Sequence, residues 1–223
     1  MSKHLQRDLE RLEKEILTVG ATVEEAINKA ITALINRRGE LAQEVIDGDT
    51  AIDRKEVEVE EQCLKVLALH QPVAVDLRYI IAVLKVNNDL ERMGDLGANI
   101  AERAAYLAEH DAIDVPLEFR RMADLVRTMV RESLDALVNH DLKLARRVLE
   151  CDDEVDAVNR RMFDTLQRLM RDDPSTIERA VQTLSASRNL ERIADHATNI
   201  AEDVIFMIEG DVIRHVHNGS SGQ

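Results

Sequence analysis

Aromatic residues are scarce in this chain of 223 residues: they make up 2% of it, and tryptophan is absent. Proteins that hold single-stranded nucleic acid stack its bases on aromatic side chains and neutralise its phosphates with lysine and arginine. This chain has instead a formal net charge of −14 at pH 7. Nucleic-acid binding is therefore disfavoured, and the charge favours cations or basic protein surfaces as partners.

Cysteine is almost absent as well, since only Cys63 and Cys151 occur. They are far apart and outside any C-x-x-C pattern, which is typical of free thiols in a reducing compartment. The longest apolar run, YIIAVL at residues 79–84, is too short to cross a bilayer, and the first residues, MSKHLQRDLERLEKE, are polar throughout. We therefore expect a cytoplasmic protein that is neither secreted nor membrane-spanning.

Proline and glycine are rare, with three and eight residues, while alanine, leucine, glutamate and arginine are abundant. This composition is typical of long helices and predicts an all-α fold. Helix-breaking residues divide the chain into six helical segments of roughly 25 to 35 residues. The predicted breaks are Gly39, Gly48 and residues 70–72, 110–116, 139–141 and 172–175.

The two halves of the chain share an internal repeat. Residues 33–53 align without gaps on residues 136–156, and residues 90–102 align on residues 190–202. Because three amphipathic helices can enclose a core, we predict two tandem repeats of an antiparallel three-helix bundle. The predicted units are residues 1–111, residues 112–211 and a flexible tail at residues 212–223, with residues 110–116 as a hinge between the bundles.

Carboxylates recur at helical spacing in both repeats. Glu91 and Asp95 in the third helix correspond to Glu191 and Asp195 in the sixth, and each pair is four residues apart. On a helical wheel Glu91, Asp95, Asn99 and Glu102 fall within about 80° of one another and form a polar stripe, which the second repeat has at Glu191, Asp195, Asn199 and Glu202. Arg92 and Arg103 are predicted to point away from the first stripe. The candidate metal-ligating residues are Asp49, Asp53, Glu91, Asp95, Asn99, Glu102, Asp152, Asp156, Glu191, Asp195, Asn199 and Glu202.

An antiparallel hairpin brings the acids of neighbouring helices to one height. The Asp49/Asp53 pair lies about as far before the predicted turn as the Glu91/Asp95 pair lies after it, and the second repeat has the same arrangement. Partly desolvated carboxylates a few ångströms apart repel one another. Shared protons, basic side chains from a neighbour or metal ions such as Mg, Ca, Mn, Fe or Zn would neutralise them.

Two alternatives to a metal-binding regulator remain open at this point. The acids could form a solvated face on which Arg92 pairs with Asp95. They could also belong to a carboxylate-bridged metal enzyme or a metal store, but the Glu-x-x-His pairs of di-iron bundles are missing. Because nucleophile motifs and Gly-rich phosphate loops are also missing, we expect no enzymatic activity. His196 is a candidate ligand in the second repeat alone, although a core or surface histidine is the commoner outcome.

Several motifs together resemble the PhoU family. They are DLERMGDLGANIAE at residues 89–102, PVAVDLRYI at residues 72–80, the D-x-x-x-D pair at Asp49 and Asp53, and the two-fold repeat. The resemblance covers residues 5 to about 208. It implies a cytoplasmic accessory protein of the phosphate-specific transport system that represses the phosphate-starvation regulon when phosphate is plentiful. It also implies a multinuclear iron or zinc cluster on the acidic pairs of each repeat. The carboxylate ligands by themselves also suit magnesium or manganese.

The resemblance further implies an adaptor between two partners, the ATPase of a phosphate ABC transporter and a sensor histidine kinase. Uncovered acidic and alanine-rich faces suggest a homodimer. Two departures distinguish the repeats: the second lacks the segment that contains Asp76 and Arg78 in the first, and Leu96 corresponds to His196. The second difference leaves open whether both repeats hold the same amount of metal.

Overall fold

The computed structural model describes residues 3–113 and 118–210, which contain only helices and the turns between them. The all-α prediction is confirmed. The six long helices are α1 (Lys3–Asn36), α2 (Gly39–His70), α3 (Ala74–Ala108), α4 (Phe119–Asn139), α5 (Leu142–Asp172) and α6 (Ile177–Glu209), and a short 3-10 helix at Pro174–Thr176 precedes α6. None of these helices is both long and apolar enough to cross a membrane.

Each helix forms because an apolar face repeats along it. In α1 the buried residues lie three or four positions apart, as in Leu12, Ile16, Val19 and Val23, a spacing that puts them on one side of the helix. Two helices are more central than the others: α3 packs against α1, α2 and α6, while α6 packs against α3, α4 and α5. The carboxylate stripes of the sequence analysis lie on these two central helices.

Most predicted breaks are helix ends. Gln71 follows α2 in the left-handed conformation, with φ 45°, and His140 follows α4 with φ 50°. Asp141 then begins α5 as its N-cap, because its side chain accepts hydrogen bonds from the backbone N–H groups of Lys143 and Leu144. These local signals explain why sequence alone located the turns.

Gly48 is the exception, because it was predicted to break the chain and instead lies inside α2. Glycine in a helix interior costs only about 1 kcal/mol relative to alanine. Val45 and Ile52 on either side of it are buried, so tertiary packing outweighs this cost. The helix α4, with 21 residues, is also shorter than the predicted segments.

The two repeats share one core. α3 packs against α6 and α1 packs against α4, and a single cluster of buried apolar residues includes members of all six helices. The expectation that each bundle encloses a separate core is corrected by this packing, which the helical wheel of a single repeat cannot show. The domain boundary at residues 111 and 112 stays a prediction. Part of the predicted hinge, residues 114–117, and the predicted tail lie outside the described residues.

Polar contacts fix the direction of α6 against α3. Lys85 Nζ lies 2.9 Å from Oδ1 of Asp203, whose side chain is 2% exposed, and 4.8 Å from the centroid of the Phe206 ring. Asn199 Nδ2 donates to Oδ1 of Asp89 at 3.2 Å. Since rising residue numbers on α3 pair with falling numbers on α6, the two helices are antiparallel.

The α2–α3 turn and the α5–α6 turn therefore lie at opposite ends of the molecule. At the first end, His70 Nε2 lies 2.9 Å from Oδ2 of Asp8 in α1. At the other end, the Tyr106 hydroxyl near the end of α3 donates to Glu178 in the first turn of α6 at 3.3 Å. The two ends can thus be compared as corresponding parts of the two repeats.

Candidate metal centre

The first group of carboxylates joins α2 to α3. Asp49 and Asp53 lie one turn apart on α2, and Asp95 lies opposite them on α3. One carboxylate oxygen from each residue lies within 4.8 Å of the other two. Asp49 is half-buried, while Asp53 and Asp95 are exposed. The structure therefore brings these three predicted residues together across the hairpin.

Partial burial and mutual repulsion raise pKa values in this first cluster. Burial raises the pKa of Asp49, and the charge of Asp53 adds most to the effect. Burial also raises the pKa of Asp95, again reinforced by Asp53. Glu102 lies close enough to raise the pKa of Asp49 as well. The neighbouring carboxylates therefore make Asp49 and Asp95 harder to ionise.

Glu91 belongs to the same cluster and brings in Glu56, which the sequence analysis missed. Burial raises the pKa of Glu91, and Asp95 and then Glu56 raise it further. Asn87 Nδ2 donates to the backbone oxygen of Glu56 at 2.9 Å and to its Oε1 at 3.3 Å. Because Glu56 follows Asp53 by three residues on one helix, helical spacing was the signal that could have found it.

The second group of carboxylates joins α5 to α6. Burial raises the pKa of Asp152 to about 6, and the charges of Asp195 and Asp156 contribute next. Burial raises the pKa of Glu191, with Asp195 as its strongest charged neighbour. Burial and then Asp156 raise the pKa of Asp195. The four predicted acids of this repeat therefore repel one another, although no three of them offer oxygens within 4.8 Å of one another in the described part of the chain.

One buried oxygen in the second cluster has no partner. Glu191 Oε2 is buried and lacks a hydrogen bond from any described residue, a costly arrangement for a carboxylate. The polar neighbours of the two clusters also differ. Where the first repeat has Glu56 and Asn87, the second has Asn159 and Ser187, and the Ser187 hydroxyl donates to Asn159 Oδ1 at 2.6 Å. The second cluster therefore has an amide where the first has the Glu56 carboxylate, while Asp153 adds to the rise in the pKa of Asp152.

Few basic side chains neutralise either cluster. Arg160 pairs with Asp156 at 3.8 Å, and Arg103 pairs with Glu102 at 3.4 Å, so the prediction that Arg103 points away from the stripe is wrong. Within residues 3–113 and 118–210, the other acids of the two clusters make no ion pair at 4.0 Å or less. These acids are Asp49, Asp53, Glu91, Asp95, Asp152, Glu191 and Asp195.

Arg92 was the cation of the solvated-face alternative. Its Nε donates to Oδ1 of Asn88 at 3.1 Å, and it forms no direct ion pair with Asp95. At longer range its charge still opposes the rise in the pKa values of Glu91 and Asp95. The specific pair that this alternative requires is therefore absent.

Two polar residues of the second stripe face α3. Asn199 donates to Asp89, and His196 Nδ1 lies 2.8 Å from the same Asp89 oxygen. The structure thus places both residues in the contact between the repeats, and the charge of His196 also opposes the rise in the pKa of Asp195. Asn99 and Glu202 are half-buried on their stripes. A role of Asn199 or His196 as a metal ligand gains no support from this placement.

The two clusters have the chemistry that hard and borderline cations require. Their donors are carboxylate oxygens from two helices, as Mg, Ca, Mn and Fe prefer and as Zn accepts. A cation would offset the repulsion that raises the pKa values and would satisfy the unpaired oxygen of Glu191. The residues that could hold metal are Asp49, Asp53, Glu91 and Asp95 in the first cluster, and Asp152, Asp156, Glu191 and Asp195 in the second.

The fold and the site define a class of helical proteins in which two tandem three-helix units each carry carboxylates between their second and third helices. The PhoU domain family matches the chain twice, over residues 16–104 and 119–204. The chain belongs to the PhoU family. The resemblance seen in the sequence motifs and the tandem repeat are thereby confirmed.

Relatives and solved structures agree with this assignment. The phosphate-specific transport system accessory protein PhoU homolog of Aquifex aeolicus is 40% identical over 98% of this chain and 99% of its own length. The crystal structure of PhoU from Pseudomonas aeruginosa is similar with a TM-score of 0.90 and 39% identity, covering 92% of this chain and 99% of that one. The phosphate transport system regulatory protein PhoU from Streptococcus pneumoniae has a TM-score of 0.86 and 30% identity, covering 94% and 99%. The Aquifex protein is named as an accessory protein and the Streptococcus protein as a regulatory protein, in agreement with the expectation that the chain is not an enzyme.

Proposed function

We propose that the chain is a metal-binding regulatory adaptor of phosphate transport and signalling. The accessory role is supported by relatives that are named for the phosphate-specific transport system and that match nearly the whole chain. The metal-binding role is supported by one observation above all: Asp49, Asp53 and Asp95 converge across the α2–α3 hairpin with oxygens within 4.8 Å. Bound cations, iron or zinc in multinuclear form and otherwise magnesium or manganese, would tie α2 to α3 and α5 to α6.

Elemental analysis tests the metal directly. The protein is purified without added ions, and its metal content is compared with that of a double variant, Glu91→Ala with Glu191→Ala. We expect stoichiometric metal in the wild type and a large loss in the variant, while circular dichroism shows that both are folded. Anomalous diffraction should then place the metal at the hairpin level of each repeat. A wild type without bound metal, or metal that the variant retains in full, would contradict the proposal.

In the proposed regulation the adaptor acts in the cytoplasm, between the ATPase of the phosphate transporter and a sensor histidine kinase. It holds the kinase in its phosphatase-favouring state when phosphate is plentiful, which makes it a negative regulator of the phosphate-starvation regulon. The net charge of −14 supports binding to basic protein surfaces. A homodimer is part of the proposal and is measured by light scattering.

A pull-down with purified partners tests the adaptor role. The cytoplasmic domain of the kinase and the transporter ATPase are each immobilised, and retention of the wild-type chain is measured at two salt concentrations. We expect retention that weakens as salt rises, because the adaptor is acidic. Absence of binding to both partners would refute the adaptor role and leave the metal proposal intact. The alternative of a metal enzyme or metal store is favoured by no observation.

A further inference from the structure

The α2–α3 turn exposes an unusual number of large apolar side chains. Val73 is 74% exposed, Leu69 65% and Val75 60%, and Leu64 and Leu77 are exposed beside them. We name these five residues the α2–α3 tip. Single exposed apolar residues are normal on protein surfaces, whereas five of them between residues 64 and 77, around one turn, point to an interaction site.

The corresponding turn of the second repeat shows that this exposure is not needed to join two helices. The α5–α6 turn contains Asp172, Asp173, Pro174 and Ser175, all exposed. Asp173 accepts hydrogen bonds from the backbone N–H and the hydroxyl of Ser175, at 3.0 Å and 2.7 Å. The same connection in the same fold is therefore made by polar residues with local hydrogen bonds.

The α2–α3 turn also lacks stabilising features that are present in the α5–α6 turn. Gln71 and Ala74 have positive φ values of 45° and 51° although neither is glycine, a conformation that costs roughly 1 kcal/mol per residue. The N-cap of α3 is Val73, which forms no capping hydrogen bond, whereas a serine or aspartate there would contribute about 1 kcal/mol. The turn is thus less stable than one with glycine at the two positive-φ positions and a capping residue before α3, and such local strain is common at functional sites.

The charged residues around the α2–α3 tip limit the kind of partner that can bind there. From Gln62 to Val75 there is no aspartate or glutamate and one base, Lys65, while on the two sides the acids Glu58, Glu60, Glu61 and Asp76 outnumber the base Arg78. At the tip itself, a second copy of the same surface or an anionic bilayer would meet repulsion from these flanking acids. The tip also lacks the tryptophan and tyrosine that anchor proteins at membrane interfaces. An apolar cleft with a basic rim on another protein complements both the tip and the acids around it.

We propose that the α2–α3 tip is the docking surface of this chain and inserts into an apolar, basic-rimmed cleft on the cytoplasmic side of the phosphate transporter. This inference rests on the proposed accessory function and adds the surface through which it acts. Val73 and Val75 enter the cleft, while Glu61 and Asp76 face its rim. The second repeat, which lacks such a tip, points away from the transporter.

The test compares two matched double variants. Val73→Ser with Val75→Ser removes apolar contacts from the tip without changing the charge and supplies an N-cap residue, so the fold should be kept. Ile177→Ser with Val181→Ser makes the same kind of change at the opposite end, where both residues are also exposed. Binding to the purified transporter in neutral-lipid nanodiscs is measured by biolayer interferometry, with empty neutral and empty anionic nanodiscs as references. Circular dichroism melting checks that each variant is folded.

We expect the tip variant to bind roughly tenfold more weakly or worse, since two buried valines are lost from the interface. The control variant should bind like the wild type. Equal binding by the tip variant, or equal losses in both variants, would overturn the docking surface while leaving the proposed function in place. Equally strong binding of the wild type to empty anionic nanodiscs would identify the bilayer as the occupant and also overturn the inference. Absence of wild-type binding to the transporter would refute the accessory function itself, together with this surface.

Discussion

The two carboxylate clusters are built from the same motif but differ in their surroundings. In the first, Asp49, Asp53 and Asp95 bring their oxygens within 4.8 Å, and Glu56 adds a further charge. In the second, Asn159 replaces Glu56, and deeper burial raises the pKa of Asp152 to about 6. An internal repeat therefore preserves the positions of the acids without preserving their electrostatics, because neighbouring residues set the latter.

The largest expected effect is the loss of metal binding from one cluster while the other cluster keeps its metal. Asp49→Asn with Asp53→Asn should weaken metal binding in the first repeat by roughly a hundredfold or more, since even outer-shell changes cost up to that factor. Asp152→Asn with Asp156→Asn should do the same in the second repeat and leave the first unchanged. Isothermal titration calorimetry of each metal-free variant measures the remaining sites. A loss of both sites in either variant would show that the clusters are not independent.

The next effect concerns the contact between α3 and α6, in which corresponding positions of the two repeats carry different residues. Lys85 pairs with the buried Asp203, whereas the corresponding residues on the other side are Ser185 and Arg103. Lys85→Met should lower the free energy of unfolding by about 2 kcal/mol, because it removes a cation from a buried carboxylate. The loss is not larger because the lysine itself is partly exposed to solvent. Ser185→Ala should change it by less than about 0.5 kcal/mol. Urea denaturation measures both, and equal losses would remove the asymmetry.

A smaller effect is a pH dependence centred on Asp152 in metal-free protein. Because the folded-state pKa is raised to about 6 from 3.8, the folded state favours the protonated acid. The resulting stabilisation is present below the ordinary pKa and is lost as the pH rises through about 6, by roughly 1 to 2 kcal/mol after allowance for solvent exposure. In Asp152→Asn the free energy of unfolding should therefore change less with pH over this range.

Chemical denaturation of chelator-treated protein between about pH 4 and pH 7.5 measures this dependence. Asp164→Asn on the exposed side of α5 is the matched control and should keep the slope of the wild type. A variant at Asp152 with the full wild-type slope would assign the pH dependence to other groups.

The smallest effect concerns two glycines of α3 that correspond to alanines of α6. A Cβ at Gly97 would lie 3.6 Å from Cγ1 of Ile27, in ordinary contact, whereas one at Gly94 would lie 3.2 Å from Cγ2 of Ile52. Gly97→Ala should therefore stabilise the protein by about 0.5 to 1 kcal/mol through helix propensity, and Gly94→Ala by less. Thermal melting by circular dichroism compares them, and a larger gain at Gly94 would contradict this ranking.

Much of the fold could be predicted because its signals are local. The amino-acid composition predicted the helices, and Pro72, Asp141 and Pro174 marked turns where they were expected. The convergence of Asp49, Asp53 and Asp95 followed from counting residues on either side of a hairpin. These predictions need only the geometry of one helix or of two neighbouring helices.

What could not be predicted depends on contacts between distant parts of the chain. A helical wheel shows which residues share a face but not which helix covers it, so Asn199 was grouped with the acids although it faces Asp89. For the same reason the shared core of the two repeats was not foreseen. Gly48 was misjudged because the buried residues on either side of it, and not its own preference, decide whether α2 continues.

The antiparallel packing of α3 on α6 has a consequence for how the molecule is assembled. Each of these central helices is shielded from water partly by the other repeat. A fragment that ended after α3 would therefore expose the apolar residues of α3 that α6 covers, together with Asp89, which is buried in the whole chain. The two halves are therefore held together by side-chain packing of α3 on α6 and of α1 on α4, and each half covers apolar surface of the other.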